Sequence, residues 1–199
     1  MKTPIRNTVA VAAIALMAFA ALPLLASVPV GSTAPAFTLQ DQNGNNVSLS
    51  DYAGKIVVLE WFNENCPFVQ RHYKSGDISD TATKFAGNGV VWLAINSTHD
   101  NTNSSNKAAA SAWNMNRPIL NDASGAVGHA YDATNTPEIF IIGKDGKIAY
   151  EGAMDNDPQG DKSSDKINYA SQALTELLAG SSVSVPETKA YGCSVHYAN

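Results

Sequence analysis

Cysteine occurs only twice in the 199 residues. That excludes a disulfide-dense scaffold and a Cys-rich zinc module, so any sulfur chemistry is done by one pair or by single thiols. Basic residues are also few: 13 Lys plus Arg stand against 18 Asp plus Glu, a net charge of −5. No basic field is present to hold nucleic acid or an anionic membrane surface. Gly-rich phosphate loops, nucleophile-elbow serines and internal repeats are missing as well. The four histidines show no metal-ligand spacing, and Cys66 with His72 would supply two ligands where a site needs more, so no metal is expected. The acidic stretch Asp155-Asn156-Asp157, followed by Asp161 and Asp165, lacks EF-hand spacing and reads as a solvated turn. What remains is 44% hydrophobic and 16% charged, a globular composition for one domain.

Residues 1–26 have the layout of a secretory signal. Lys2 and Arg6 form a cationic start, an apolar run extends from Val9 to Leu25, and Ala26-Ser27 offers a small-residue cleavage site. No second apolar run of that length follows. The expected mature protein is exported, acidic and free of the membrane after cleavage, in a compartment where disulfides persist. Its organisation is a domain over 27–180 and a tail over 181–199 that carries Cys193.

Within the domain, Phe37-Thr38-Leu39 and Val47-Ser48-Leu49 alternate around Asn43-Gly44, a hairpin signal. The run from Lys55 to Phe62 reads as a central strand buried on both faces. A helix is expected to begin at Cys66-Pro67, because proline is favoured in a first turn where its missing donor costs nothing. Gly76 interrupts, a short helix covers 78–85, and Val90–Ile95 makes a second buried strand. A polar loop spans 96–106 and a helix 107–113. Pro118–Leu120 is a short strand and Ser124–Tyr131 a short helix. Two strands, 138–142 and 147–150, are joined by an Asp-Gly turn, and an amphipathic helix runs from Asp165 to Leu178 with Ser164 or Asp165 as cap. This order specifies an α/β fold with a mixed central sheet, helices on both faces and an N-terminal hairpin extension.

In open α/β sheets chemistry gathers at the carboxyl ends of parallel strands, and Cys66 lies at such an end. Backbone donors and the dipole of a helix start favour thiolate over thiol there. Cys66 is therefore expected to be an acidic, solvent-reachable nucleophile. Arg117 reads as a surface cation.

Several segments together resemble the thioredoxin-like redoxins of the alkyl hydroperoxide reductase and thiol-specific antioxidant superfamily. They are Gly31-Ser32-Thr33-Ala34-Pro35-Ala36-Phe37, Ser48-Leu49-Ser50-Asp51-Tyr52-Ala53-Gly54-Lys55, Trp61-Phe62 leading to Cys66-Pro67, and Thr136-Pro137-Glu138 with Asp145-Gly146. With Gly192-Cys193-Ser194-Val195 in the tail, the chain is similar to that superfamily's peroxiredoxin-like group. The resemblance implies a thioredoxin-like fold, Pro137 as a cis-proline facing the nucleophile, and a substrate groove formed by Trp61, Asn65, Pro67, Phe68 and Thr136. It implies a thiol or disulfide substrate, protein or small molecule, with peroxide as a second class, and no organic cofactor.

Two departures bear on the chemistry. Val69 stands where dithiol reductases of this type carry their second cysteine, and Leu59 and Asn63 stand where peroxidatic sites carry proline and a hydroxyl residue. Cys193 is the internal candidate for a resolving thiol. Three readings follow: a redox pair, a permanent staple worth up to ~4–5 kcal/mol in the chain-entropy model, or two unrelated cysteines. The functional readings are an exported thiol-disulfide oxidoreductase, a thiol peroxidase, or a non-catalytic binding module with a static disulfide.

Overall fold

The computed structural model describes residues 28–162 and 164–198, so the expected signal 1–26 lies outside the described residues. Strands β1 (Thr38–Gln40) and β2 (Asn46–Ser48) form the expected hairpin, and a 3-10 turn (Leu49–Tyr52) leads into β3 (Val57–Trp61). Then come α1 (Pro67–Ser75), α2 (Asp77–Ala86), β4 (Val91–Asn96), α3 (Asn103–Ala112), β5 (Ile119–Asn121) and α4 (Ala126–Tyr131). The chain ends with β6 (Asn135–Thr136), β7 (Glu138–Ile142), β8 (Ile148–Gly152), α5 (Tyr169–Leu178) and β9 (Cys193–Ser194).

Seven strands form one sheet in the order β2-β1-β5-β4-β3-β7-β8. β3, β4 and β5 run parallel through helical crossovers, while β7 and β8 close one edge antiparallel and the hairpin extends the other. Every residue of β3 is buried, which is why its sequence is nearly continuous in apolar residues. Val58 and Phe62 face one core with Val69, Ile78, Phe85 and Leu174 from α1, α2 and α5. Val57, Leu59 and Trp61 face the other, with Val127 and Tyr131 from α4.

The polar exception in β3 is Glu60, which has no exposure. Its carboxylate accepts from Trp92 Nε1 at 2.8 Å and from the Tyr73 hydroxyl at 3.0 Å, and pairs with Arg117 Nη2 at 3.5 Å. Arg117, expected as a surface cation, is instead mostly buried, because a charge inside a core requires a partner of opposite sign.

Two helix starts differ from the sequence expectation by four residues each. α3 begins at Asn103 inside the expected loop, because Thr102 Oγ1 accepts from Ser105 N at 3.0 Å while Ser105 Oγ accepts from Thr102 N at 2.9 Å. α5 begins at Tyr169 rather than Asp165. Asn168 accepts from Ser171 N at 2.8 Å and also donates to Thr81 Oγ1 at 3.0 Å, so the cap is fixed against α2. Replacing Asn168 with alanine should cost about 0.5–2 kcal/mol, read as a lower urea midpoint with an unchanged slope.

Candidate active site

β3 delivers its carboxyl end into a tight turn. Asn63 Oδ1 accepts from Asn65 N at 2.8 Å, Cys66 N donates to Asn63 O at 3.1 Å, and Cys66 becomes the N-cap of α1 with Pro67 in the first turn. The helix start is the expected one. Gly76, with φ 84°, ends the helix, again as expected.

The tail brings the second sulfur. β9 pairs antiparallel with β6, placing Cys193 opposite Thr136 and Ser194 opposite Asn135. Val195 N donates to Thr134 O at 3.0 Å, and Glu138 Oε2 braces the receiving segment by accepting from Thr134 N at 2.7 Å and Asn135 N at 3.0 Å. Beyond β9, the Tyr197 ring stacks on His129 at 4.0 Å and its hydroxyl donates to Ala133 O at 2.7 Å. Upstream, Glu151 N donates to Pro186 O and Thr188 N donates back to Glu151 O, both at 3.0 Å, so the tail also follows β8.

This arrangement sets Cys66 Sγ 2.6 Å from Cys193 Sγ, although the two residues are 127 positions apart. No bond joins them in the structure. The carbonyl of Thr136 lies 3.0 Å from Cys66 Sγ, and the Thr136–Pro137 peptide is cis. Cys66 is 2% exposed, against the expectation of a solvent-reachable sulfur; the tail lies over it. Backbone donors nevertheless reach it, from Val69 in the first turn of α1 and from Cys193.

Burial pushes the Cys66 thiol up, but hydrogen bonds from the Cys193 thiol, the Thr136 side chain and these two amides outweigh it and hold Cys66 below the ordinary thiol value. The Thr136 hydroxyl, buried and without another partner, is free to turn toward the thiolate. Cys193 goes the other way: burial, then the hydrogen bond and charge of Cys66, push it up to about 11. The pair is asymmetric, with the charge on Cys66.

Of the residues expected in the groove, Pro137 and Thr136 are buried beside the sulfurs, Asn65 and Pro67 are exposed at the start of α1, and Phe68 is half-buried under Tyr191. Trp61 is not in the groove. It is wholly buried on the opposite face of the sheet, packed on Tyr131 and Phe140, with its indole N–H donating to Ser97 Oγ at 3.2 Å. The direction of a side chain in a strand buried on both faces cannot be told from apolar content.

The supposed solvated turn is also different. Asp155 and Asp157 are buried, because Asp157 Oδ1 accepts from Gly160 N and Asp161 N while Asp155 meets His72 and Lys166. His72 Nδ1 lies 3.2 Å from Asp77 Oδ2, and Lys166 Nζ sits 2.7 Å from Asp77 and 3.1 Å from Asp155. The cation among these carboxylates is thus a lysine ammonium. Neither this cluster nor Tyr191, which joins it, was singled out in the sequence; no local spacing links positions 72, 77, 155, 166 and 191.

The tail contact at Glu151 has a pH signature. Burial, then the charges of Glu187, Glu138 and Asp132, push Glu151 up to about 7. A folded pKa above the unfolded one contributes stability that is present below about 4.5 and lost as pH rises through about 7. Glu151→Gln should flatten this part of the stability curve and, after solvent screening, gain about 0.5–1 kcal/mol at pH 8. Urea denaturation across pH 4–8 checks it.

The chain belongs to the AhpC/TSA family, which it matches over residues 30–151. It is 30% identical over 129 residues to the thiol-disulfide oxidoreductase ResA of Bacillus subtilis, covering 61% of this chain and 66% of ResA, just under two thirds of that relative's length. Over 105 residues it is 32% identical to a chloroplastic peroxiredoxin Q of Suaeda salsa, covering 52% of this chain and 47% of that protein. Among solved structures, a hypothetical protein of Sinorhizobium meliloti 1021 superposes with a TM-score of 0.77 at 26% identity, covering 87% of this chain and 97% of that one. The thioredoxin domain of a thiol-disulfide oxidoreductase from Bacteroides vulgatus superposes at 0.55 with 26% identity, covering 63% and 89%. The fold is thioredoxin-like, as the sequence motifs imply.

Proposed function

We propose that this protein is an exported thiol-disulfide oxidoreductase in which Cys66 attacks and Cys193 resolves. The observation that carries the reading is the meeting of the two sulfurs at the start of α1, beside cis-Pro137. Cys66 thiolate attacks one sulfur of a partner disulfide, forming a mixed disulfide and releasing one partner thiolate. Cys193, deprotonated as it attacks, displaces the second partner thiolate and closes the Cys66–Cys193 bond, and the departing thiolate takes up a proton. The partner disulfide gains two electrons and the protein dithiol loses them; the direction is set by the partner's potential. An extended partner segment gains access by displacing the tail from Asn135–Thr136, with Asn65, Pro67 and Phe68 at the rim.

Export rests on the cationic start and apolar run of residues 1–26, with cleavage after Ala26. Among the described residues, no helix is long and apolar enough to cross a membrane.

The test is a single turnover of fully reduced protein with a peptide disulfide. One Cys66–Cys193 bond should form for each peptide disulfide opened, whereas a static binding module would leave the peptide intact. Hydrogen peroxide in place of the peptide separates the peroxidase reading, which requires a sulfenic acid on Cys66 that dimedone traps in the Cys193→Ser protein, where no neighbouring thiol competes.

A further inference from the structure

We infer that Tyr191 is a positioning residue that sets how readily Cys193 closes on Cys66, an inference that rests on the reading of Cys66 and Cys193 as a redox pair. Tyr191 lies two residues before Cys193. Its hydroxyl donates to Asp155 Oδ1, lies 3.1 Å from His72 Nε2 and faces the Asp157 carbonyl at 3.3 Å. Its ring meets Phe68 edge-on at 6.0 Å, with the Arg71 guanidinium 5.9 Å from its centre.

Those partners are themselves held. Asp155 accepts from Asp157 N at 2.8 Å and pairs with Lys166, and His72 is braced by Asp77. His72, Phe68 and Arg71 all belong to α1, the helix whose N-cap is Cys66. Six residues of helix span ~9 Å from Cys66 to His72, and two residues of extended chain span at most ~7 Å from Tyr191 to Cys193. One rigid helix therefore references both sulfurs, one directly and the other through Tyr191.

Burying His72 and Asp155, with Asp77 and Lys166 half-buried beside them, carries a desolvation cost, yet the cluster makes no hydrogen bond or ion pair with either sulfur among the described residues. Its outlet toward the thiols is the Tyr191 hydroxyl. Fixing the tail at that point raises the effective concentration of the Cys193 thiol at Cys66, which sets the stability of the bond between them against a glutathione pool.

The experiment equilibrates wild-type and Tyr191→Phe proteins with graded glutathione buffers and measures by mass mapping the fraction carrying the Cys66–Cys193 bond. In parallel, the rate of Cys66 alkylation is measured in the Cys193→Ser background, with and without Tyr191→Phe. The expected result is an effective concentration about tenfold lower in Tyr191→Phe, with the alkylation rate unchanged. Asp155→Asn, which keeps an acceptor but loses its charge, should lower the effective concentration by a smaller factor. An unchanged effective concentration in Tyr191→Phe overturns the inference, and so does a parallel change in Cys66 alkylation, which would mean that the network supports α1 and not the tail. A wild-type protein that never forms the bond in these buffers overturns the redox-pair reading and this inference with it.

Discussion

Cys66→Ser should abolish exchange with a peptide disulfide, lowering the rate at least about 10³-fold, while Cys193→Ser should stop the reaction halfway with a mixed disulfide accumulating toward one per protein. The difference follows from the asymmetry of the pair. Cys66 caps α1, takes hydrogen bonds from two backbone amides and is held below the ordinary thiol range, so of the two thiols it ionises first and is the one proposed to attack. Serine in its place offers no comparable nucleophile. Cys193 is pushed up to about 11 and stays protonated until a mixed disulfide removes the charge from its neighbour. Removing it spares the first attack and deletes the second. Non-reducing mass spectrometry distinguishes the two variants. A Cys66→Ser protein that exchanges at the original rate, or a Cys193→Ser protein that captures no peptide, contradicts the assigned roles.

The second large effect is expected at Gly192. Its φ is 143°, a conformation that residues with a side chain rarely adopt, and a Cβ there would lie 2.1 Å from the Thr136 carbonyl oxygen and 2.8 Å from its carbon. That oxygen cannot move aside freely, since Thr136 is buried in β6 and its carbonyl faces Cys66 Sγ. In Gly192→Ala the tail must therefore shift, and Cys193 loses its place opposite Thr136. Bond closure after mixing reduced protein with excess oxidised glutathione should slow about a hundredfold. Thermal unfolding followed by circular dichroism checks that the domain remains folded. Closure at the wild-type rate would show that the strand register does not deliver Cys193.

What was legible in the sequence was local. The apolar run of β3, Pro67 in the first turn of α1, Gly76 at its end and the Asp145-Gly146 turn each announce a conformation through the residues themselves. The motifs around Cys66 and Pro137 placed Cys66 at the start of α1 and the cis-proline beside it, and the Gly-Cys-Ser-Val tail directed attention to Cys193. What was hidden depends on long-range pairing. β9 is two residues long and is stabilised by β6, so no periodicity marks it. Asp155 and Asp157 have the composition of a surface turn; Asp157 gathers the amides of its own turn, and only the arrival of His72 and Lys166 makes Asp155 a buried partner. Trp61 shows the same limit from the other side: its type suits a binding groove, but in a strand covered on both faces the pleat alone decides which core it enters. Asn168 prevails as the cap of α5 because it bonds to α2 as well as to its own helix.

The central claim is that Cys66 is an acidic thiol held against a far less acidic Cys193. First-hit alkylation of the fully reduced protein by iodoacetamide, scored by mass mapping on singly modified molecules from pH 5 to 11, tests it most directly, because modifying Cys66 removes the charge that holds Cys193 up. The account predicts that Cys66 takes the first modification with a midpoint below that of the same cysteine in the urea-unfolded protein, while Cys193 takes none until the pH approaches 11. Cys66 titrating at or above its unfolded midpoint, or the two thiols sharing the first modification, would contradict it.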